Sequence, residues 1–471
     1  MSYEPVIGLE VHVQLKTKSK VFCGCTTEFG GAPNTQTCPV CLGFPGTLPV
    51  LNQCALSGTI RVALALNCSI SQKMQFHRKN YFYPDLPKNY QISQYDEPLS
   101  YNGYSKIKID GTEKTIKIKR VHLEEDTGKL MHEEGENSSL IDFNRSGIPL
   151  LEIVSEPDIN SPDEAYRYLT ILKSILQYLE VSDCDMEKGS LRCDANISVR
   201  KRGESILGTK AEIKNMNSFK GVKAALEYEF ERQVKILESG EKLIQETRLW
   251  DPERGITQSM RSKEEAHDYR YFPEPDLVPY ILPEGLIDME KKALPELPQA
   301  RKARFIKTYG LPEYDADVLT QDKELADFYE DCTKYYDKPK VISNWIMGDV
   351  LGYLNAKVLQ LKDIKLTSQN LAGLLKEIDS GKISGKMAKN ILTEMFETGK
   401  DAPKIIEEKE LIQISDEAQL ESFADEVIAE NKKTVEDYLK GKENAIMFLV
   451  GQVMKKTKGR ANPAVINEIL K

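Results

Sequence analysis

Glu10, His12 and Gln14 interrupt an otherwise apolar run of Ile7, Leu9, Val11, Val13 and Leu15. A period of two belongs to a β-strand, whose successive side chains leave on opposite faces, so carboxylate and imidazole stand side by side roughly 6.5 to 7 Å apart. Both can converge on a divalent cation if a third ligand closes the site, although a solvent-facing edge strand produces the same alternation. The design recurs over residues 191–199, where Leu191, Cys193, Ala195, Ile197 and Val199 alternate with Arg192, Asp194, Asn196 and Ser198. Between these runs, Glu124, Glu125 and Asp126 end an apolar strand just before Gly128. One of these carboxylates can reach inward; the alternative is an acidic turn pointing into water. Magnesium prefers oxygen ligands, so Glu10 and Glu125 suit it, while His12 is a less usual ligand and could instead orient a phosphate.

A second chemistry lies in the cysteines. Cys23-Gly24-Cys25 and, after twelve residues, Cys38-Pro39-Val40-Cys41 form two close thiol pairs that can close a tetrahedral zinc site. The first pair has one spacer residue where two to four are usual, so four buried free thiols are the alternative. Cys54, Cys68, Cys184, Cys193 and Cys332 are dispersed and read as small packing residues. Two further polar clusters stand out. Residues 76–90 mix cations (Arg78, Lys79, Lys88) with aromatics (Tyr81, Phe82, Tyr83), a combination that holds phosphates and stacks bases, or that packs on its own domain as a proline-bearing loop. Asn217 and Ser218 follow a strand and precede a helix, where structural capping suffices to explain them. Each Gly-Lys pair is followed by Leu, Ile, Met, Asp or Glu, which excludes a Gly-x-x-x-x-Gly-Lys-Ser/Thr phosphate loop, and no Gly-x-Ser-x-Gly elbow occurs. Any phosphoryl transfer must therefore draw its residues from several strands.

These groups need a scaffold. The first 290 residues read mainly as strands with two clear helices. One starts at the capping box Ser161-Pro162-Asp163-Glu164 and continues through Tyr168, Leu169, Leu172 and Leu176; the other runs over residues 218–238 and stops at Ser239-Gly240. Six prolines between positions 273 and 298 mark a connector. The fold class is α+β: a mainly antiparallel-sheet cradle domain over residues 1–292, a helical domain over 293–403 and a small helical tail domain over 404–471. The net charge of −9 argues against indiscriminate coating of nucleic acid, but the tail is uneven. Residues 401–430 carry ten acids against two lysines, and residues 431–471 carry nine bases against four acids, which makes a basic patch or simply a solvated helical surface. No apolar stretch approaches the ~20 residues that span a bilayer, and Met1-Ser2-Tyr3-Glu4-Pro5 carries no secretion signal, so the expectation is a cytoplasmic protein without membrane contact.

The runs at residues 6–15, 38–43, 78–85, 143–150, 189–198 and 268–277 resemble the B subunit of the bacterial aspartyl/glutamyl-tRNA amidotransferases, as do the tail runs at 449–454 and 459–463. The resemblance implies that Glu misattached to tRNA(Gln), or Asp misattached to tRNA(Asn), is phosphorylated by ATP on its side-chain carboxylate and then amidated. It implies magnesium held by Glu10, His12 and Glu125, and His12, Lys79, Arg192 and Asp194 around the nucleotide. Lys79 and Lys88 would line an ammonia passage or contact phosphate, and Asp194 would support the centre. Cys23, Cys25, Cys38 and Cys41 would form a structural zinc knob. The partners implied are an amidase subunit, which releases ammonia from glutamine, a small third subunit that braces the heterotrimer, and the misacylated tRNA, contacted by the tail. Two rivals remain: a non-catalytic tRNA-binding scaffold, favoured if Glu10, Glu125 and Asp194 lie on the surface, and an ammonia-dependent ligase acting on a non-RNA acid.

Overall fold

The computed structural model describes residues 3–132, 138–260, 268–409, 411, 417–442, 444–457 and 461–471. The tail residues Gly459 and Arg460 and the first two residues of the chain lie outside them. Two compact units result, Met1–Pro298 and Gln299–Lys471.

The first unit is built on a nine-stranded sheet. Its strands, and those of the small sheet beside it, are β1 (Tyr3–Gln14), β2 (Ser69–Ile70), β3 (His77–Asn80), β4 (Tyr90–Ser93), β5 (Ser100–Ile109), β6 (Thr112–Glu125), β7 (Pro149–Ser155), β8 (Leu191–Lys201), β9 (Ala211–Lys214), β10 (Glu246–Asp251) and β11 (Ile256–Ser259). The large sheet runs β11-β10-β9-β8-β1-β7-β6-β5-β2, and every pairing is antiparallel except β9 with β10. A separate small sheet places β3 between β4 and the short strand Phe272–Pro273.

Strand β1 is therefore central, flanked by β7 and β8, and not an edge. Its odd residues Ile7, Leu9, Val11 and Val13, with Leu15 just beyond its end, are 0–4% exposed, each burial contributing roughly 1.5–3 kcal/mol. They face three helices, α1 (Gln53–Ala65), α2 (Pro162–Tyr178) and α3 (Phe219–Glu238), whose apolar stripes complete one core. The expected caps are present: Ser161 Oγ accepts from Glu164 N, and Ser218 Oγ accepts from Gly221 N. Helix α1 was not foreseen, although Asn52 caps it by accepting from Cys54 N and Ala55 N. The proline-rich connector also holds more than expected, since its proline-free stretch forms a short helix, Leu286–Lys292.

The second unit is helical among its described residues, from Pro298–Tyr309 to Pro463–Ile469. Within it, Leu420, Val427, Ile446, Leu449, Val453 and Ile466 pack into a cluster of their own. None of the described helices is long and apolar enough to cross a membrane.

Candidate active site

With one face of the sheet covered by helices, alternation sends the polar residues to the other. Register aligns them into rows. His122 of β6, Glu152 of β7, His12 of β1 and Arg192 of β8 stand opposite one another across four strands; Glu10 and Asp194 stand together one row away. The Glu152 carboxylate lies 3.7 Å from His12 Nε2 and 3.5 Å from His122 Nε2, and Glu124 lies 3.6 Å from His122 Nε2. Donor atoms of His12, Glu124 and Glu152 all lie within 4.8 Å of one another. Two carboxylates and one imidazole make a donor set that accepts Mg²⁺ or Mn²⁺.

The sequence-derived trio of Glu10, His12 and Glu125 is thus not assembled. Consecutive strand residues point to opposite faces, so Glu124 joins His12 and Glu125 turns away. Glu125 is buried against Lys88, whose Nζ donates to it at 2.6 Å, and it also accepts from Ile92 N at 2.8 Å. Glu10 remains on the His12 face but is engaged by Asn196 Nδ2 at 3.0 Å, and Asp194 lies 3.8 Å from Lys214. Both carboxyls sit half-buried. Burial, with Glu152 nearby, holds Glu10 above its ordinary pKa; burial likewise raises Asp194 against the pull of Lys214. Glu152 moves the other way, because His122 and His12 outweigh its burial.

Sequence reading did not single out Glu152, and it noted Glu124 and Asp126 in the acidic run without giving either a role. Glu152 is a lone acid within Pro149–Ser155, and that interruption of an apolar strand was its available signal. Asp126 anchors the acidic turn: it accepts from Gln14 Nε2 at 2.7 Å and Arg192 Nη2 at 2.8 Å. Although burial alone would raise its pKa, Arg192 and Arg145 hold it below the ordinary range. Asp126 thereby fixes Arg192 beside His12.

Lys79 stands over the same floor from β3, its ammonium 4.8 Å from the Tyr269 ring centroid. Burial opposes its charge, but the Glu124 carboxylate outweighs that and holds its pKa above the usual lysine value. Arg78 is spent differently, on a bidentate pair with Glu274 at 2.7 and 2.8 Å. The buried Arg120 Nε, His122 Nδ1 and Arg192 Nε have no protein hydrogen-bond partner, so the cradle contains unspent polar capacity.

The four cysteines do converge. The sulfurs of Cys23, Cys25, Cys38 and Cys41 lie within 4.8 Å of one another, and those of Cys38 and Cys41 are 3.9 Å apart. A tetrahedron with Zn–S bonds of ~2.3 Å needs sulfurs roughly 3.8 Å apart, so this donor set fits zinc. Cys38 N donates to Cys41 Sγ at 3.1 Å. Cys41 is the thiol drawn toward thiolate, to about 4, by a hydrogen bond from Cys23, with Lys20 contributing. Beside the cluster, a cavity of about 190 Å³ is lined by Cys41, Phe44, Lys88, Tyr90, Glu125 and Gly147, among others.

Residues 5–288 match the model of the GatB/GatE catalytic domain, and residues 327–471 match that of the GatB domain. The chain belongs to the GatB/GatE family. Members similar along their full length include the B subunit of the aspartyl/glutamyl-tRNA(Asn/Gln) amidotransferase of Thermoanaerobacter sp. (strain X514), 58% identical over 471 residues, covering 100% of this chain and 99% of that protein. The protein of the same name from Carboxydothermus hydrogenoformans is 56% identical over 472 residues, covering 100% and 98%. That of Moorella thermoacetica is 57% identical over 473 residues, covering 100% and 99%. The polar floor and the cysteine cluster both lie within the stretch that matches the GatB/GatE catalytic domain.

Proposed function

We propose that this chain is the carboxylate-activating subunit of a glutamine-dependent tRNA amidotransferase. The names of its relatives supply the substrate class, and the convergence of His12, Glu124 and Glu152 on one sheet face is the observation that carries the chemistry. A carboxylate is a poor electrophile. In the first step a side-chain oxygen of tRNA-bound Glu or Asp attacks the γ-phosphorus of ATP, and the bond to ADP breaks. Ammonia then adds to the acyl carbon, phosphate leaves, and the amide remains after loss of a proton. His12, Glu124 and Glu152 would hold magnesium, which when bound neutralises charge on the phosphates. Lys79 and Arg192 place fixed cations where anionic charge gathers; Asp126 keeps Arg192 aimed. Glu10 and Asp194 border the floor as supporting carboxylates.

Lys88 and Glu125 take a different part. Adjacent residues Glu124 and Glu125 face the floor and the cavity respectively, so the cavity wall and the floor are neighbours along the end of β6. We assign this cavity to ammonia supplied by a separate amidase, with a small third protein completing the complex, and the four cysteines to a structural zinc. The scaffold reading predicted a surface location for Glu10, Glu125 and Asp194; Glu125 is 4% exposed and the other two are half-buried. In the tail, Lys440, Lys442 and Lys456 pair with Glu436, Asp437, Glu426 and Glu430 on the surface. Such pairs are worth ~0–1 kcal/mol and yield readily to RNA phosphates, in keeping with tRNA contact by this region.

The test replaces Glu152 with Gln in the assembled complex and follows ATP turnover with and without misacylated tRNA. The variant should lose at least a hundredfold in tRNA-stimulated turnover while tRNA affinity stays within about threefold. Near-wild-type turnover in the variant, or tRNA-independent turnover in the wild type, contradicts the assignment.

A further inference from the structure

Lys20 is fully buried, at 0% exposure, a rare state for an ammonium. Its backbone is pinned: Lys20 N donates to Cys25 O at 3.0 Å, and its carbonyl accepts from Asn52 Nδ2 at 3.2 Å. The bridge between Ser19 and Thr26 closes the loop that carries Cys23 and Cys25. The side chain then runs back to the sulfur cluster, where Nζ lies 3.7 Å from Cys41 Sγ and 3.4 Å from the carbonyl oxygen of Phe143. Among the described residues no carboxylate stands within ion-pair distance of it; nearby Glu125 is engaged by Lys88. A buried cation without an anion costs several kcal/mol, so the sulfur group is the anion this lysine was placed to meet.

Four thiolates around one Zn²⁺ carry a net charge of about −2, itself expensive to bury. We propose that Lys20 is the built-in counter-cation of the four-cysteine metal centre, a positioning residue that donates an N–H···S hydrogen bond to Cys41 and so governs how firmly the metal is retained. The inference rests on reading Cys23, Cys25, Cys38 and Cys41 as a metal site. Gly147 extends its reach, since a side-chain carbon built there would lie 3.4 Å from Lys20 Cδ, 3.5 Å from Cys41 Cβ and 3.9 Å from Glu125 Oε2. The metal cluster and the Glu125 wall of the cavity therefore meet around Gly147.

The test uses the full-length chain with Lys20→Met, of similar volume but without charge or donor. Zinc content, competition with a chelator and the absorption of the Co²⁺-substituted protein are measured beside the wild type. Partners of metal ligands typically contribute ten- to a hundredfold in affinity, so Lys20→Met should hold zinc at least tenfold more weakly. Its thiolate-to-Co²⁺ charge-transfer band should move to lower energy, because the sulfur lone pairs lose a stabilising cation. A variant with wild-type zinc affinity and an unmoved band overturns the role of Lys20 while leaving the metal site intact. A wild-type chain that takes up less than one equivalent of either metal overturns the metal reading, and this proposal with it. Should Lys20→Met fail to fold, Lys20→Gln carries the same comparison: it keeps a donor without the charge, and a loss of at least threefold is expected, whereas no loss and no band shift overturn the proposal.

Discussion

His12 is pulled in two directions. Burial favours its neutral form, but contact with the Glu152 carboxylate outweighs that and lifts its pKa above the ordinary imidazole value. A metal ligand must be neutral, so metal and proton compete for this ring. Because the proton is held to higher pH than in free histidine, Mg²⁺ affinity should fall as pH drops through neutrality, and binding should release protons. Titration calorimetry in buffers of different ionisation enthalpy checks this; affinity that does not change between about pH 8 and pH 6 counts against His12 as a ligand. Alternation with valines put His12 on the polar face of a strand, but it left open whether that face met solvent at a sheet edge or the floor of a site. For the partner carboxylates the sequence favoured Glu10 and Glu125, whereas the pairing of β6 with β7 and of β7 with β1 brings Glu124 and Glu152 to His12. Lys20 left no signal at all, as nothing local distinguishes a buried lysine from a solvated one.

Elements were read where local chemistry announced them. Ser161 and Ser218 cap α2 and α3 as their types predict, and alternation marked β1 and β8. Whether β1 lies at an edge or in the centre depends on pairing partners far along the chain, from Gln14 with Leu150 to Tyr3 with Lys201, which no local window contains. Close approach of elements is equally non-local. In β5, Gly103 lies against the end of α1, where an added side-chain carbon would sit 2.7 Å from the carbonyl oxygen of Leu66 and collide with Cys68 Sγ. The backbone oxygen cannot rotate away. Gly103→Ala should therefore destabilise the first unit by about 1–3 kcal/mol, seen as a lowered urea midpoint with an unchanged slope. An unchanged midpoint would mean that the sheet and helix part more easily than this packing implies.

At the scale of the whole molecule, the two units divide the proposed work. The sheet unit gathers the floor from β1, β3, β6, β7 and β8, and the helical unit carries the charge-divided tail. The α+β class and the helical carboxy-terminal region were legible from patterning and prolines. The substrate was not, because nothing in strand periodicity distinguishes a tRNA-borne carboxylate from a free one; that came only through resemblance to a family. The central claim is that the side-chain carboxylate itself becomes phosphorylated, and oxygen bookkeeping tests it most directly. Glu-tRNA(Gln), or Asp-tRNA(Asn), is prepared with ¹⁸O in the side-chain carboxylate and turned over by the complex with ATP and glutamine, and the released phosphate is analysed by mass spectrometry. The account predicts one ¹⁸O in the phosphate for each amide formed; phosphate free of label alongside normal amide formation would contradict it.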